Sequence, residues 1–269
     1  MKPLLVVDGD SLAHRAYHAM PKSIRLNGVL GFGNMLLRLW ENEEPRAVVV
    51  GWDTYEIPTY RHEAFEPYQS GRVFEESLLE QLKLMPELVS AMGFANAKGG
   101  GYEADDFLGA AVAFEEARRG AALVATSDRD MFQLASERTT ILQPVRGVSE
   151  LARIGPPEVR ERYGVEPAQV PDFIALRGDP SDKLPGAAGV GAKKAADILR
   201  EYRSLEDALE AGRFSAEAED LRLYRRIATV DASAPLPPLD DQHPTWAEAS
   251  SLAGEWGLNG LAERLAKLT

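Results

Sequence analysis

Three short apolar runs in this chain end in aspartate: LLVV (4–7) runs into Asp8, AVVVGW (47–52) into Asp53, and AALVATS (121–127) into Asp128. The runs are near-continuous and rich in β-branched residues instead of alternating, the pattern of strands buried on both faces of a parallel sheet. Ligands of an open α/β sheet sit beyond the carboxyl ends of its strands. A chain that folds this way gathers Asp8, Asp53 and Asp128 along one edge.

Helical patterns fill the intervals. FGNMLLRLWEN (32–42) and FEESLLEQLKLMPELVSAMG (74–93) are amphipathic, and Pro86 is expected to kink or restart the second. EADDFLGAAVAFEEARRG (103–120) has an acidic first turn, arginines in its last turn and Gly120 as a stop, as dipole and capping rules favour. TTILQP (139–144) reads as a further short strand. Alternating strands and helices predict an α/β fold with right-handed crossovers.

From about residue 156 the strands stop, and PPEVRERYG, VPDFIALRG, GAKKAADILREY and SLEDALEAG read as short helices. The expected division is therefore an α/β domain over 1–155 and a helical region over 156–269. ASAPLPPLDDQHPT (232–245) is a proline-rich connector, and 246–269 supplies one or two closing helices. No internal repeat or low-complexity tract is present.

With 269 residues, 45% of them hydrophobic and 27% charged, the chain has the composition of a soluble globular protein. No apolar run approaches the ~20 residues of a membrane span, so no membrane association is expected. The N-terminus puts two aspartates directly after its apolar run, which reads as a strand and not as a signal peptide. Cysteine is absent, so neither a disulfide framework nor a thiolate metal site is available. A cytoplasmic monomer is the expectation. The formal charge of −12 argues against a general nucleic-acid binder unless the acids are gathered and neutralised by cations.

Such gathering is what the pattern predicts. Asp130 follows Asp128 by two residues, GGYEADD places Glu103, Asp105 and Asp106 at a helix start, and RGDPSDKLPG adds Asp179 and Asp182. Each has an ordinary reading alone: a helix-start charge preference for Glu103, Asp105 and Asp106, a turn for Asp8, a cap for Asp179. Together they are costly, since two unit charges ~4 Å apart repel by roughly 4 kcal/mol at an effective dielectric near 20. Divalent cations would offset that repulsion. With no cysteine or histidine interleaved, the donors are hard oxygens, which suit Mg²⁺ or Mn²⁺ better than zinc. His14 and His18 lie four apart on an expected helix, but no acid at ligand spacing completes a zinc site.

Two more stretches carry chemistry. LPGAAGVGAKKAADIL (184–199) is neither a Rossmann fingerprint nor a Walker A loop, because no strand precedes it and no Lys-Ser/Thr pair follows. A helix, a glycine hairpin and a second helix would offer backbone N–H groups and Lys193 and Lys194 to a phosphate; a tight turn with solvated lysines is the alternative. TYEIPTYRHEAFEPYQSGRV (54–73) mixes Tyr60, Arg61, Tyr68 and Arg72, a composition suited to phosphates and unstacked bases.

VVDGDSLAHRAYHA, GWDTYEIPTYRHEAFEPYQSGR, GGYEADD, ATSDRDMFQL and LRGDPSDKLPGAAGVGAKKAADIL occur in the order and spacing of the bacterial 5′ nuclease family. The chain resembles the 5′–3′ exonuclease (flap endonuclease) domain of bacterial DNA polymerase I over roughly 1–230, and is expected to stand free of a polymerase. The resemblance implies a PIN-like α/β nuclease domain with a helical arch at about 54–85, then a helix–three-turn–helix DNA-binding region. It implies two divalent ions, Mg²⁺ or Mn²⁺, held directly or through water by Asp8, Asp53, Glu103, Asp105, Asp106, Asp128, Asp130, Asp179 and Asp182. Arg72 matches the arginine that faces the scissile phosphate. Gln69 stands where the family commonly has a lysine, and Lys183 where an asparagine is usual. The expected DNA contacts are Arg15, Tyr60, Arg61, Tyr68, Lys183, Gly186, Gly189, Gly191, Lys193 and Lys194, with K⁺ at the glycine hairpin. The implied substrates are flap, nicked or 5′-ended duplex DNA, with RNA primer hybrids a further candidate. Two alternatives stand beside this reading. One is a DNA-binding protein with weak catalysis, suggested by Gln69; the other is a haloacid-dehalogenase-like phosphatase, with Asp8 as nucleophile and Asp10 as acid.

Overall fold

The computed structural model describes residues 2–55, 57–146 and 148–269. Six strands, β1 (Leu4–Asp8), β2 (Ala47–Gly51), β3 (Ala95–Ala97), β4 (Ala122–Ala125), β5 (Thr139–Pro144) and β6 (Leu151–Ile154), form one sheet in the order β3-β2-β1-β4-β5-β6. All neighbours are parallel except β5 and β6. The apolar runs are fully buried because the sheet is covered on both sides. Leu4, Val6 and Val49 join one core; Leu5, Val7, Val48 and Val50 join the other. β3 and β6 escaped the sequence reading: each is very short, and β3 carries Asn96 between two alanines.

One face is covered by α1 (Gly9–Ala19), α2 (Asn27–Glu43) and α4 (Glu76–Ala91). The other carries α5 (Ala104–Ala117) and the helical region: α6 (Pro156–Tyr163), α7 (Val170–Arg177), α8 (Ala192–Tyr202), α9 (Leu205–Glu210) and α10 (Ala218–Ala228). α10 was not anticipated from sequence. α4 runs through Pro86 as one helix without restarting. The stretch expected to arch over the cleft is mostly loop, with one short helix, α3 (Tyr60–Ala64). Its expected last residues, 76–85, are instead the first turns of α4, where Leu78, Gln81, Leu82 and Met85 are buried. The segment crossing the cleft is therefore 54–75.

After α10 the connector turns back beneath the amino ends of the strands. Gln242 donates its N–H to the Arg46 carbonyl and accepts from the Val48 N–H through its side chain. The closing helices α11 (Trp246–Glu255) and α12 (Asn259–Ala266) then pack against α4 and α2, on the face opposite the other late helices. Arg46 anchors this return: its guanidinium pairs with Glu115 of α5 and donates to the Leu239 carbonyl at 2.8 Å. Both ion-pair partners are buried, with 7% and 1% of their side chains exposed.

Removing one member of such a pair leaves an uncompensated buried charge, which costs about 3–5 kcal/mol. Glu115→Ala is accordingly expected to lower unfolding free energy by about that amount in urea titrations. A loss below about 1 kcal/mol, the range of exposed pairs, would show that the pair is not sequestered.

Candidate metal centre and nucleic-acid cleft

The carboxyl edge of the sheet opens into a cavity of about 830 Å³. Nine carboxylates line it: Asp8, Asp10, Asp53, Glu103, Asp105, Asp128, Asp130, Asp179 and Asp182. Asp8 closes β1 and caps α1, accepting from the Ser11 N–H at 2.9 Å and the Thr126 hydroxyl at 2.6 Å. Asp53 follows β2 and accepts from the Ala104 N–H at 2.8 Å. Glu103 caps α5, with Asp105 in its first turn. Asp128 follows β4 and accepts from the Asp130 N–H at 2.8 Å. Asp179 and Asp182 come from the loop after α7, where Asp179 exchanges two backbone hydrogen bonds with Leu184 and accepts from Ser181 and Arg177.

The electrostatics are those of an unneutralised anionic site. Burial pushes the Asp8 carboxyl up to about 7 despite its two hydrogen bonds. Burial likewise lifts Asp182 to about 6 although Arg72 opposes it. Asp53, Asp105 and Asp130 rise well above the usual carboxylate range, first through burial and then through repulsion by neighbouring acids. The repelling partners sort into two wings. Asp53 feels Asp10, Glu103 and Asp8, whereas Asp130 feels Asp128, Asp179 and Asp182. Asp105 stands between, facing Asp128, Asp8 and Asp53.

These donors fit hard divalent cations. Among the described residues the carboxylates of Asp105 and Asp130 accept no hydrogen bond, and the buried Ser127 hydroxyl in the same lining has no partner. Polar groups so placed call for water or an ion. No three acidic or histidine side chains among the described residues converge closely enough to hold an ion as they stand.

Asp106, expected among the ligands, lies outside this lining. It is fully buried and accepts Arg61 in a bidentate pair at 2.7 Å, together with the N–H groups of Glu103 and Asp231. Arg61, expected to contact DNA, is 3% exposed and donates onward to the Ile227 carbonyl. Tyr60 stacks its ring under Arg61 and points its hydroxyl at Asp106, 3.3 Å away. Tyr68 is buried with its hydroxyl on Glu103 at 2.9 Å. These three arch residues hold the loop down; Arg61 and Tyr68 are buried, and Tyr60 is half-buried. Arg15 is half-buried, donating to the Val145 carbonyl, and lies outside the cavity lining.

Gln69 and Arg72 do reach the cleft, and both donate to Asp182, at 3.2 and 3.1 Å. Lys183 is exposed on the same loop, with a left-handed backbone (φ 61°). The glycine hairpin is built as expected. Gly186 has φ 73°, and a Cβ there would stand 2.4 Å from the Gly178 nitrogen, so only glycine permits this crossing. Gly189 and Gly191 face open space, and Lys193 and Lys194 project from the exposed first turn of α8.

Several cleft residues were missed. Asp10 was read only as a candidate acid, yet it joins the carboxylate lining. Its two oxygens accept from the Tyr55 hydroxyl and the Asp53 N–H, each at 2.7 Å. These contacts tie Asp10 to the loop after β2 and to the Asp53 backbone. Arg129 and Arg177 add positive charge to the lining. Arg162, Arg177, Lys193 and Arg200 line a second groove that runs from the cleft to the hairpin. Only Lys193 among these had a motif to announce it.

Two stability tests follow from these placements. Asp105→Asn removes a repelled charge and is expected to raise the melting temperature in chelator, while Asp106→Asn leaves buried Arg61 with Glu103, 3.4 Å away, as its remaining ion-pair partner and costs about 3 kcal/mol. Equal effects at the two positions would contradict the assignment. Asp8 and Asp182 keep their protons in the folded chain to about pH 7 and 6, against an ordinary value of 3.8. The folded state then binds more protons than the unfolded one, so stability falls as pH rises from about 4 to 7. Calorimetry in chelator is expected to give a lower melting temperature at pH 8 than at pH 5, with added Mg²⁺ recovering more at pH 8. A melting temperature in chelator that rises across this window would contradict the strain ascribed to the site.

Comparison with known proteins agrees with this anatomy. Residues 3–164 match the family described as 5'-3' exonuclease, N-terminal resolvase-like domain, and residues 165–248 match 5'-3' exonuclease, C-terminal SAM fold. DNA polymerase I of Mycobacterium tuberculosis is 39% identical over 221 residues, covering 78% of this chain and 24% of that protein. The thermostable DNA polymerase I of Thermus thermophilus is 37% identical over 249 residues, 87% of this chain and 29% of that protein. The chain thus spans about a quarter of the length of these relatives. Among solved structures, bacteriophage T5 5'-exonuclease with bound zinc superposes with a TM-score of 0.74 at 19% identity, covering 98% of both chains. Human GEN1 in complex with Holliday junction DNA superposes at 0.66 with 13% identity, covering 98% of this chain and 70% of that one. The paired domain matches, sheet and helical region together, make this chain a member of the 5'-3' exonuclease family.

Proposed function

We propose that this chain is a divalent-metal-dependent 5′ nuclease that hydrolyses DNA phosphodiester bonds beside junctions of single strand and duplex. The observation that carries the reading is the cleft lining: nine carboxylates from separate chain segments, with Arg72, Arg129 and Arg177 among them, beneath a crossing loop. So many acids would repel nucleic acid unless cations intervene, and with cations bound to Asp182 and Asp179 the arginines that pair with them, Arg72 and Arg177, would turn to an anionic substrate.

Asp8, Asp53, Glu103 and Asp105 would hold one ion, and Asp128, Asp130, Asp179 and Asp182 a second. Bound Mg²⁺ or Mn²⁺ would supply an activated water and charge stabilisation for in-line hydrolysis. The protein's own groups do the rest. Arg72, released from Asp182, would donate to the phosphate as charge develops there. Gln69 offers the same phosphate a hydrogen bond but no charge. The groove of Arg162, Arg177, Lys193 and Arg200 would track the duplex backbone towards the hairpin. There Gly189, Gly191 and Lys194 meet a phosphate, and K⁺ is a candidate partner for the hairpin carbonyls. The loop at 54–75 would admit the 5′ single strand. RNA primer hybrids are a second candidate substrate.

A labelled 5′-flap duplex incubated with Mg²⁺ or Mn²⁺ is expected to be cut near the junction, and chelator is expected to stop the cut. Binding without cleavage would favour a non-catalytic DNA-binding protein. Gln69→Lys places a charge beside Arg72 and is expected to raise the single-turnover rate about tenfold, the effect of roughly 1.4 kcal/mol at the transition state. An unchanged or slower rate would show that position 69 does not limit the reaction.

A further inference from the structure

The carboxyl end of α10 is held by side chains from other elements of the cleft wall. The last carbonyls of a helix have no partner within it, and here donors arrive from elsewhere. Arg61 reaches the Ile227 carbonyl at 2.9 Å and Gln133 the Ala228 carbonyl at 2.9 Å. Tyr60 and Arg61 both point at the Thr229 carbonyl, at 3.4 Å. Just beyond, the Val230 N–H donates to the Gln133 side chain at 3.1 Å and the Asp231 N–H to Asp106 at 2.8 Å. The Val230 side chain lies on α5 at Gly109, where a Cβ would stand 2.8 Å from it.

Gln133 differs from the other members of this seam. It belongs to the short 3-10 helix Asp130–Leu134 after β4, and its amide nitrogen donates a second hydrogen bond, to the Asp130 carbonyl at 2.9 Å. One carboxamide therefore spans Asp130, Ala228 and Val230. Its two N–H donors face two carbonyls while its oxygen faces an N–H; a reversed amide would set oxygen against oxygen. Asp130 needs such a hold. Among the described residues no donor reaches its carboxylate, so its backbone alone aims it into the cavity. That backbone is fixed on one side by its N–H on the Asp128 carboxylate at 2.8 Å, and on the other by Gln133.

We propose that Gln133 is a positioning residue for the metal centre: it sets where the Asp130 carboxylate stands by tying that residue's backbone to the end of α10. The Asp130 side of the cleft and the helical region with its basic groove are then placed as one piece. Gln133 touches neither ion nor DNA in this role and acts through Asp130. Loss of an outer group that orients a ligand typically lowers metal affinity roughly 10–100-fold. The proposal rests on the nuclease reading above.

The test is Gln133→Met, which keeps the length of the side chain and loses its hydrogen bonds to Asp130, Ala228 and Val230. Mn²⁺ binding to the DNA-free protein, followed by electron paramagnetic resonance, is expected to show one ion held about tenfold more weakly and any other unchanged. Single-turnover cleavage of the flap is expected to fall by a similar factor at low Mg²⁺ and to recover at high Mg²⁺. Gln133→Asn, one methylene too short to span the three groups, carries the same expectation should the methionine variant not fold. Val230→Ala loosens the same seam through packing alone; it is expected to lower the melting temperature and leave Mn²⁺ affinity unchanged. Parent-like Mn²⁺ binding in the Gln133 variant, or an equal loss in Val230→Ala, would overturn the positioning role and leave the nuclease reading standing. A parent protein that binds no Mn²⁺ and cuts no flap would overturn both.

Discussion

Arg61 and Asp106 meet in a bidentate ion pair withdrawn from water, and that contact joins the three parts that make the cleft. Arg61 belongs to the crossing loop, Asp106 to the first turn of α5, and the carbonyl Arg61 also reaches belongs to the end of α10. The Asp231 N–H, just beyond α10, closes the circuit on the same carboxylate. A buried pair of this kind contributes little net stability over an apolar substitute, yet breaking it is costly. Its effect here is positional. It holds the loop over the sheet edge, keeps Glu103 against Thr59 and Tyr68, and docks the helical region at one fixed place.

With the frame closed, the remaining acids cannot disperse. Asp53, Asp105 and Asp130 are held in partial burial near other carboxylates, and their raised pKa values record the cost. Sites that store such cost are characteristically functional. The same frame gives the cleft two unlike walls, one of carboxylates and one of aromatic rings, with arginines at its mouth.

Much of this was legible in the chain because strand and helix patterns are local. β1, β2, β4 and β5 announce themselves by apolar runs, and the acids that follow them mark the sheet's carboxyl edge. The short strands β3 and β6 carry too few residues for a pattern, and α10 was masked by its high charge. Of the acids singled out in the sequence, Asp8, Asp53, Glu103, Asp105, Asp128, Asp130, Asp179 and Asp182 line one cavity. Asp106 lies outside that lining and pairs with Arg61, a difference the sequence hides because two adjacent aspartates in one helix turn look alike there. The sequence reading missed Asp10 and Tyr55, whose partnership spans 45 residues and leaves no spacing signature.

Sequence by itself determined the α/β class, the edge on which the acids fall, the glycine crossing at Gly186 and the all-oxygen character of the acidic cluster, since each depends on residue type and near-neighbour geometry. Tertiary structure decided which carboxylates face the cavity and which are consumed by ion pairs. It decided that Tyr60, Arg61 and Tyr68 serve the frame, and that the last helices return to the opposite face of the sheet. Those outcomes depend on contacts between residues far apart in the chain, and only the closed fold states which side chain reaches which partner.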